Sequence, residues 1–226
     1  MAQKHKTPKK SGMVLPKLGH VDAYAMIVDL NHYTNMVRSA EQVGDVIAQF
    51  TRDALSGAAD AVEKHGGEVV GFMGDAFLGI LPDDESTMYT CFSIAKDVDG
   101  QCEYISDAQA DSDDLWAFAP GGPSLKIAIE YGTLDISTIY SRLLGEQRLF
   151  AGNAINHANR ILAAGKGNRC NVGPVAAKRA FSSYSLDGPH YIRGKQGEPK
   201  YEYYFFSMGD IWIEGPRRKG KDTYWG

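Results

Sequence analysis

The stretch GEVVGFMGDAFLGIL consists of two short apolar runs that a Gly-Asp pair separates. Valine, isoleucine and phenylalanine favour strands, and Gly74 at the connection tolerates the positive φ angle that a tight turn needs. The stretch therefore predicts a β-hairpin with Asp75 at its tip.

Strand and helix patterns alternate before and after this hairpin. VDAYAMIVDL is a β-rich apolar run with Asp29 near its end, and the polar stretch NHYTNMV follows it as a loop. Ser39 and Gln42 have capping-box spacing, and apolar residues then recur at helical intervals until a Gly-Gly pair. This pattern predicts a long amphipathic helix, and a second one is predicted from about Asp84.

The second half of the chain mixes the same patterns. Residues 100–122 are acidic, then Gly- and Pro-rich, and are interpreted as a surface insertion. SLKIAIEYGTLDISTIYS predicts two strands with a turn at Gly132, and GNAINHANRILAAGKG predicts a helix that ends at Gly165. NRCNVGPVAAKRAF predicts a strand and a short helix, and HYIRGKQGEPKYEYYFF predicts a hairpin. These elements predict an α+β fold with mixed strands, whose order in the sheet stays open.

Composition favours one cytoplasmic domain at 19–208 between two tails. The chain has 226 residues, 43% of them hydrophobic, and no signal peptide or apolar run of about eighteen residues is evident. Cys91, Cys102 and Cys170 are odd in number and irregularly spaced, which predicts reduced structural thiols. Residues 1–18 and 209–226 contain basic, Gly- and Pro-bearing stretches, so we expect flexible tails. Nucleic acid is disfavoured as a partner, because the net charge is −4 and no binding motif is present.

Asp29 and Asp75 are the acids that could hold a metal ion. A lone Asp in a turn usually bonds nearby backbone, so neither residue is informative by itself. If the Asp29 strand pairs beside the hairpin, both carboxylates converge and could bind a pair of Mg²⁺ or Mn²⁺ ions roughly 3.5–4 Å apart. Successive backbone N–H groups after Asp29 could then cradle phosphate; the residues are Asn31, His32, Tyr33 and Thr34.

Asn156 and Arg160 lie one turn apart on one face of a predicted helix. The pair suits a ribose and a phosphate, since guanidinium presents a fixed fork of charged donors. An ordinary surface pair on an amphipathic helix is the alternative that spacing alone favours.

Three motifs, AMIVDLNHYTNMV, GGEVVGFMGDAFLGIL and GNAINHANRILAAG, resemble those of class III nucleotide cyclases in their order and separation. The resemblance extends from about Val21 to Phe206. It implies the class III cyclase fold, a mixed and mainly antiparallel sheet with helices packed on it around a ferredoxin-like core. It also implies a head-to-tail homodimer in which each site takes its metal-binding half from one subunit and its Asn/Arg half from the other.

The same resemblance implies roles for individual residues. Asp29 and Asp75 match the metal-binding aspartates, with the backbone carbonyl of Leu30 as a further ligand for two Mn²⁺ or Mg²⁺ ions. Asn156 would orient the ribose, and Arg160 would stabilise the transition state. A family lysine that reaches the terminal phosphates falls at Arg193, and Lys195 is a near neighbour that could substitute for it.

In the purine-specific members of the family that this chain resembles, two positions usually carry a polar side chain that recognises the base. The corresponding residues of this chain carry none. They are Gly71, before the Gly-Asp pair, and Leu149, before the helix motif. Purine recognition through these positions would lose about 1–3 kcal/mol per unpaired group. The chain thus resembles the stand-alone pyrimidine (uridylate or cytidylate) cyclases of antiphage signalling (Pycsar), with UTP favoured over CTP and a separate effector that reads the cyclic product.

Two alternatives stay open at this point. A purine cyclase could read its base through backbone groups or by shape. A cyclase-like dimer could also bind nucleotide without turning it over, although such a protein would not need the transition-state arginine.

Overall fold

The computed structural model describes residues 15–31, 33–34, 37, 44–83, 87–109, 124–165, 167–180 and 185–207. In chain order these residues form β1 (Gly19–Asn31), α1 (Gly44–Lys64), β2 (Glu68–Met73), β3 (Ala76–Pro82), α2 (Thr87–Gln109), β4 (Ser124–Ser141), β5 (Gly145–Ala151), α3 (Asn153–Leu162), β6 (Arg169–Val172), α4 (Pro174–Ala180), β7 (Asp187–Ile192) and β8 (Tyr201–Ser207).

The strands form one sheet with the order β2-β3-β1-β4-β6-β8-β7, and β5 pairs with β4 outside this path. Only the β4–β6 pair is parallel among these neighbours. Helices cover both faces of the central strands. The predicted α+β fold with a mixed, mainly antiparallel sheet is therefore confirmed.

Strand β1 is apolar on both sides because both of its faces are covered. Tyr24, Met26 and Val28 are buried in a core cluster with residues of α1, α2 and α4. Ile27 points to the opposite face, where it belongs to a smaller cluster with Ala158 of α3. A continuous apolar run is what burial on two faces requires.

Both predicted hairpins are confirmed. β2 and β3 pair antiparallel, and Gly74 in their connection has a φ of 67°. β7 and β8 also pair antiparallel. The helix α3, the strand β6 and the helix α4 lie where the sequence predicts them.

The predicted turn at Gly132 is wrong, because β4 runs without interruption through this residue. Gly132 pairs with Ala23 within the β1–β4 ladder. A Cβ atom at Gly132 would lie 3.4 Å from the Cβ of Ala154 in α3. The glycine thus allows a helix to pack closely on the strand. The strand β5 was not predicted.

The first ten residues of the predicted acidic insertion at 100–122 belong to a helix. Helix α2 extends to Gln109, and Cys102 on its inward side is buried in the core. The rest of the insertion lies outside the described residues, as do Asp84 and the Ser39–Gln42 capping box. Cys91, Cys102 and Cys170 are free and buried, as expected of structural thiols.

The predicted N-terminal tail at 1–18 stays a prediction, because residues 1–14 lie outside the described part of the chain. Leu15 is buried in a core cluster with Phe150, and the backbone oxygen of Pro16 accepts a hydrogen bond from Arg148. Residues 209–226 lie outside the described part of the chain. In the part that is described, no helix is both long and apolar enough to cross a bilayer.

Candidate active site

Asp29 and Asp75 lie together at one edge of the sheet. Asp29 is the third residue from the end of β1, and its neighbour in the ladder is Ala76, the first residue of β3. The backbone N–H of Leu30 donates to the carbonyl oxygen of Asp75 at 3.0 Å. The β1–β3 pairing therefore continues to the hairpin tip, which is the condition for a site shared by the two acids.

The carboxyl group of Asp75 is influenced by this arrangement. Burial raises its pKa above the ordinary value, and the neighbouring negative charge of Asp29 raises it further. Both effects oppose the ionised form. A cation bound between the two carboxylates would offset both effects.

Lys126 supplies a positive charge at this point and was not predicted. It lies opposite Asp29 in the β1–β4 ladder, and its Nζ is 2.6 Å from Asp29 Oδ2. The two side chains are only 22% and 16% exposed. A lysine rarely lies so deep without a partner, so the single charge in the apolar run LKIAI was the signal that could have revealed it.

The donor set suits a divalent cation held jointly with a substrate. No group of three or more His, Cys, Asp or Glu side chains lies together in the described residues. Mg²⁺ commonly uses one or two carboxylates and takes its other ligands from substrate phosphates and water, so Asp29 and Asp75 fit this mode. The carbonyl of Leu30 as a further ligand stays a prediction.

The predicted phosphate loop is only partly described. The side chain of Asn31, the last residue of β1, donates to Ser124 Oγ at 3.2 Å. Tyr33 packs against the main core cluster, and Thr34 is exposed. His32 lies outside the described residues. A phosphate cradle formed by these backbone N–H groups stays a prediction.

Asn156 and Arg160 lie on α3, which turns Ala154, Ala158 and Ile161 toward the sheet. Asn156 is exposed, and the side chain of Arg160 is 25% exposed. The Nη2 of Arg160 donates to Glu198 Oε1 at 2.5 Å. The candidate transition-state arginine is therefore tied to a residue between β7 and β8, which was not predicted to take part.

The predicted phosphate-binding cations lie near the same glutamate. Arg193 and Lys195 are exposed, and both line a cavity of about 650 Å³ together with Glu198 and Lys200. Glu198 Oε2 accepts the backbone N–H of Lys195 at 3.0 Å. The carboxylate of Glu198 thus connects Arg160 to the loop that contains Arg193 and Lys195.

The surroundings of Gly71 and Leu149 are open. No atom would lie within 4 Å of a Cβ at Gly71, and Leu149 is 42% exposed. The nearest charged neighbours along their strands, Glu68 and Arg148, form an ion pair with each other. Arg148 also stacks over Phe150 at 4.8 Å.

The candidate residues form two groups within one subunit. Asp29, Asp75 and Lys126 make up one, and Arg160 with the β7–β8 loop makes up the other. Within the described ranges, no hydrogen bond or ion pair connects the two groups.

The chain is similar in structure to known nucleotide cyclase domains. It superposes on the guanylyl cyclase Cya2 with a TM-score of 0.71 at 14% identity, over 84% of this chain and 93% of that one. The adenylyl cyclase CyaB from P. aeruginosa gives 0.72 at 12% identity, over 93% and 100%. A class III adenylyl cyclase-like ATP-binding protein from Pseudomonas aeruginosa gives 0.62 at 14% identity, over 71% and 35%.

Similarity at the level of sequence is not detected, since no protein-family model and no curated protein matches the chain. The structural similarity, at such low identities, establishes the fold alone. The predicted fold is confirmed by it: the chain has the fold of class III nucleotide cyclase domains.

Proposed function

We propose that this protein is a nucleotide cyclase that converts a pyrimidine nucleoside triphosphate, UTP before CTP, to its 3′,5′-cyclic monophosphate and pyrophosphate. The observation that carries the proposal is the meeting of Asp29 and Asp75 at the β2–β3 hairpin tip, on a fold shared with adenylyl and guanylyl cyclases. Asn156 and Arg160 supply the other half of the site.

The reaction is an attack of the 3′ hydroxyl on the α-phosphorus of the same nucleotide. Asp29 and Asp75 would hold the divalent ions, which, when bound, would lower the pKa of the hydroxyl and offset charge on the leaving pyrophosphate. Arg160 stabilises the negative charge on the equatorial oxygens in the transition state, and Asn156 orients the ribose. The hydroxyl proton passes to a substrate phosphate or to water.

The active enzyme is proposed to be a homodimer with composite sites. The absence, among the described residues, of any hydrogen bond or ion pair between the two residue groups supports this arrangement. An exposed apolar tip on the β4–β5 hairpin also supports a subunit contact: Tyr140 is 80%, Leu143 95% and Leu144 72% exposed. Exposed apolar side chains in a cluster commonly mark interaction sites.

Replacing Leu143 and Leu144 together by aspartate is expected to weaken the dimer by roughly a hundredfold or more, because about 1.5–3 kcal/mol per buried leucine is lost. Light scattering coupled to size-exclusion chromatography measures the change. The matched control replaces both leucines by methionine, which keeps the surface apolar. A charged variant that stays dimeric at the concentrations where the wild type is dimeric would exclude this tip from the interface.

Substrate choice is tested by incubating the protein with each of the four ribonucleoside triphosphates and Mn²⁺ and identifying products by mass. Because Gly71 and Leu149 offer no side-chain partner to a purine, we expect cyclic UMP as the main product, then cyclic CMP. Turnover of ATP or GTP alone would replace the pyrimidine assignment by a purine cyclase with unusual base recognition. No turnover of any nucleotide would contradict the proposed activity.

A silent nucleotide-binding dimer is the second candidate function. One similar structure is named as a cyclase-like ATP-binding protein, so this fold also occurs under that description.

In the favoured proposal, that of an active pyrimidine cyclase, the product is a second messenger made in the cytoplasm for antiphage defence. A separate effector protein would bind this product.

A further inference from the structure

We infer that Glu198 is a positioning residue that fixes the guanidinium of Arg160 for phosphoryl transfer. This inference rests on the proposed cyclase activity. It starts from one carboxylate with two bonds: Oε1 accepts from Arg160 Nη2 at 2.5 Å, and Oε2 accepts the backbone N–H of Lys195 at 3.0 Å. Glu198 therefore connects α3 to the loop between β7 and β8.

The loop holds Glu198 in place by its own backbone. The N–H of Glu198 donates to the carbonyl oxygen of Lys195 at 2.9 Å, which closes a four-residue turn. Gly197, the third residue of this turn, has a φ of 87°, as a type II turn requires. The hydrogen bond from the backbone N–H of Lys195 to the Glu198 carboxylate connects the first and last residues of the same turn a second time.

Gly194 allows the chain to pass close to Glu198. A Cβ at Gly194 would lie 2.4 Å from the carbonyl oxygen of Pro199 and 2.7 Å from the Cβ of Glu198. These distances are shorter than any side chain tolerates, so the loop is closely wound at this point. The loop thus holds the carboxylate through contacts that do not involve Arg160.

Arg160 needs such a partner, because its side chain is long and has many rotamers. Its Nε is buried and has no hydrogen-bond partner among the described residues. The ring of Tyr201 lies beneath the guanidinium at 5.9 Å and gives it no direction by hydrogen bonding. The bond to Glu198 is therefore what orients the group.

Glu198 occupies one terminal nitrogen and leaves other N–H donors of the guanidinium for a phosphate. A carboxylate could instead compete with phosphate for the arginine, and removing it would then raise activity. The pre-formed loop favours positioning over competition, because it presents a fixed acceptor to one edge of the group.

The experiment is a double-mutant cycle with Glu198→Ala and Arg160→Ala, measured on the dimer with the nucleotide that the wild type turns over. We expect Glu198→Ala to lower kcat by about tenfold or more with little change in KM, since small misplacements of a catalytic group cost this much. In the Arg160→Ala background the same change should have less than about a twofold effect.

Two further variants sharpen the result. Glu198→Gln keeps an oxygen acceptor for Arg160 and should retain more of kcat than Glu198→Ala does. Glu202→Ala is the matched control, because the carboxylate of Glu202 accepts from Tyr204 instead of Arg160, and its kcat should stay near the wild-type value. Thermal unfolding of each variant checks that the fold is retained.

Three outcomes would contradict this inference and leave the proposed cyclase activity intact. Higher turnover or a lower KM in Glu198→Ala would make Glu198 a competitor of substrate. An equal loss of kcat with and without Arg160 would make its role purely structural, and an unchanged kcat in Glu198→Ala would leave it no role. A wild type that turns over no nucleotide would instead contradict the proposed function and this inference together.

Discussion

Asparagine in place of either Asp29 or Asp75 is expected to reduce nucleotide turnover by about a thousandfold or more, because metal ions contribute several kcal/mol of transition-state stabilisation. The amide keeps the size of the side chain and removes the negative charge that holds a cation. Burial and the charge of Asp29 raise the pKa of the Asp75 carboxyl, so its ionised form is disfavoured in the folded protein. Asp75→Asn removes this group, and the substitution should therefore not destabilise the fold.

Turnover by mass analysis and Mn²⁺ binding by electron paramagnetic resonance measure these effects independently. Mn²⁺ binding in the presence of a non-reactive nucleotide analogue should weaken in both variants. Asp135→Asn is the control, because Asp135 lies on β4 in an exposed contact with His20. If Asp75→Asn kept a tenth or more of the wild-type turnover, Asp75 would not hold an essential metal ion.

A heterodimer of Asp75→Ala and Arg160→Ala subunits is expected to recover about half of the wild-type turnover, although each homodimer by itself should keep only about one per cent of it or less. In a two-fold dimer with composite sites, one of the two sites receives an intact Asp75 and an intact Arg160 from different subunits. Arg160→Ala alone should lose on the order of a hundredfold in kcat, by analogy with the loss of an oxyanion donor. Two affinity tags allow the heterodimer to be purified and assayed.

The reciprocal heterodimer gives the opposite prediction. It pairs a wild-type subunit with a subunit that carries both substitutions. In a composite arrangement each of its sites lacks one essential group, so it should be inactive. Half-maximal turnover in this heterodimer, with none in the first, would place a complete site within each subunit.

Local chemistry in the sequence was enough to predict the elements that build the edge with Asp29 and Asp75. Gly74 could be assigned to a turn because positive φ is a property of the residue itself. The face shared by Asn156 and Arg160 follows from helical spacing. Adjacency of Asp29 and Asp75 could only be stated as a condition, since strand order depends on contacts between distant parts of the chain.

The features that the sequence did not predict correctly also depend on contacts between distant parts of the chain. Gly132 looked like a turn because glycine serves both turns and close packing, and only the position of Ala154 separates the two uses. Lys126 faces Asp29 through a register of the β1–β4 ladder that no local pattern encodes. Glu198 reaches Arg160 across 38 positions of the chain. Contacts of this kind are set by the tertiary structure.

Strand β4 runs without interruption from the candidate site to the apolar tip that we propose as a subunit contact. This strand of 18 residues, Ser124–Ser141, spans roughly 55–60 Å. Lys126 lies near its first residue, and the exposed apolar tip of the β4–β5 hairpin begins at its last ones. The apolar tip and the counter-ion of Asp29 thus lie on one continuous strand, with no loop between them.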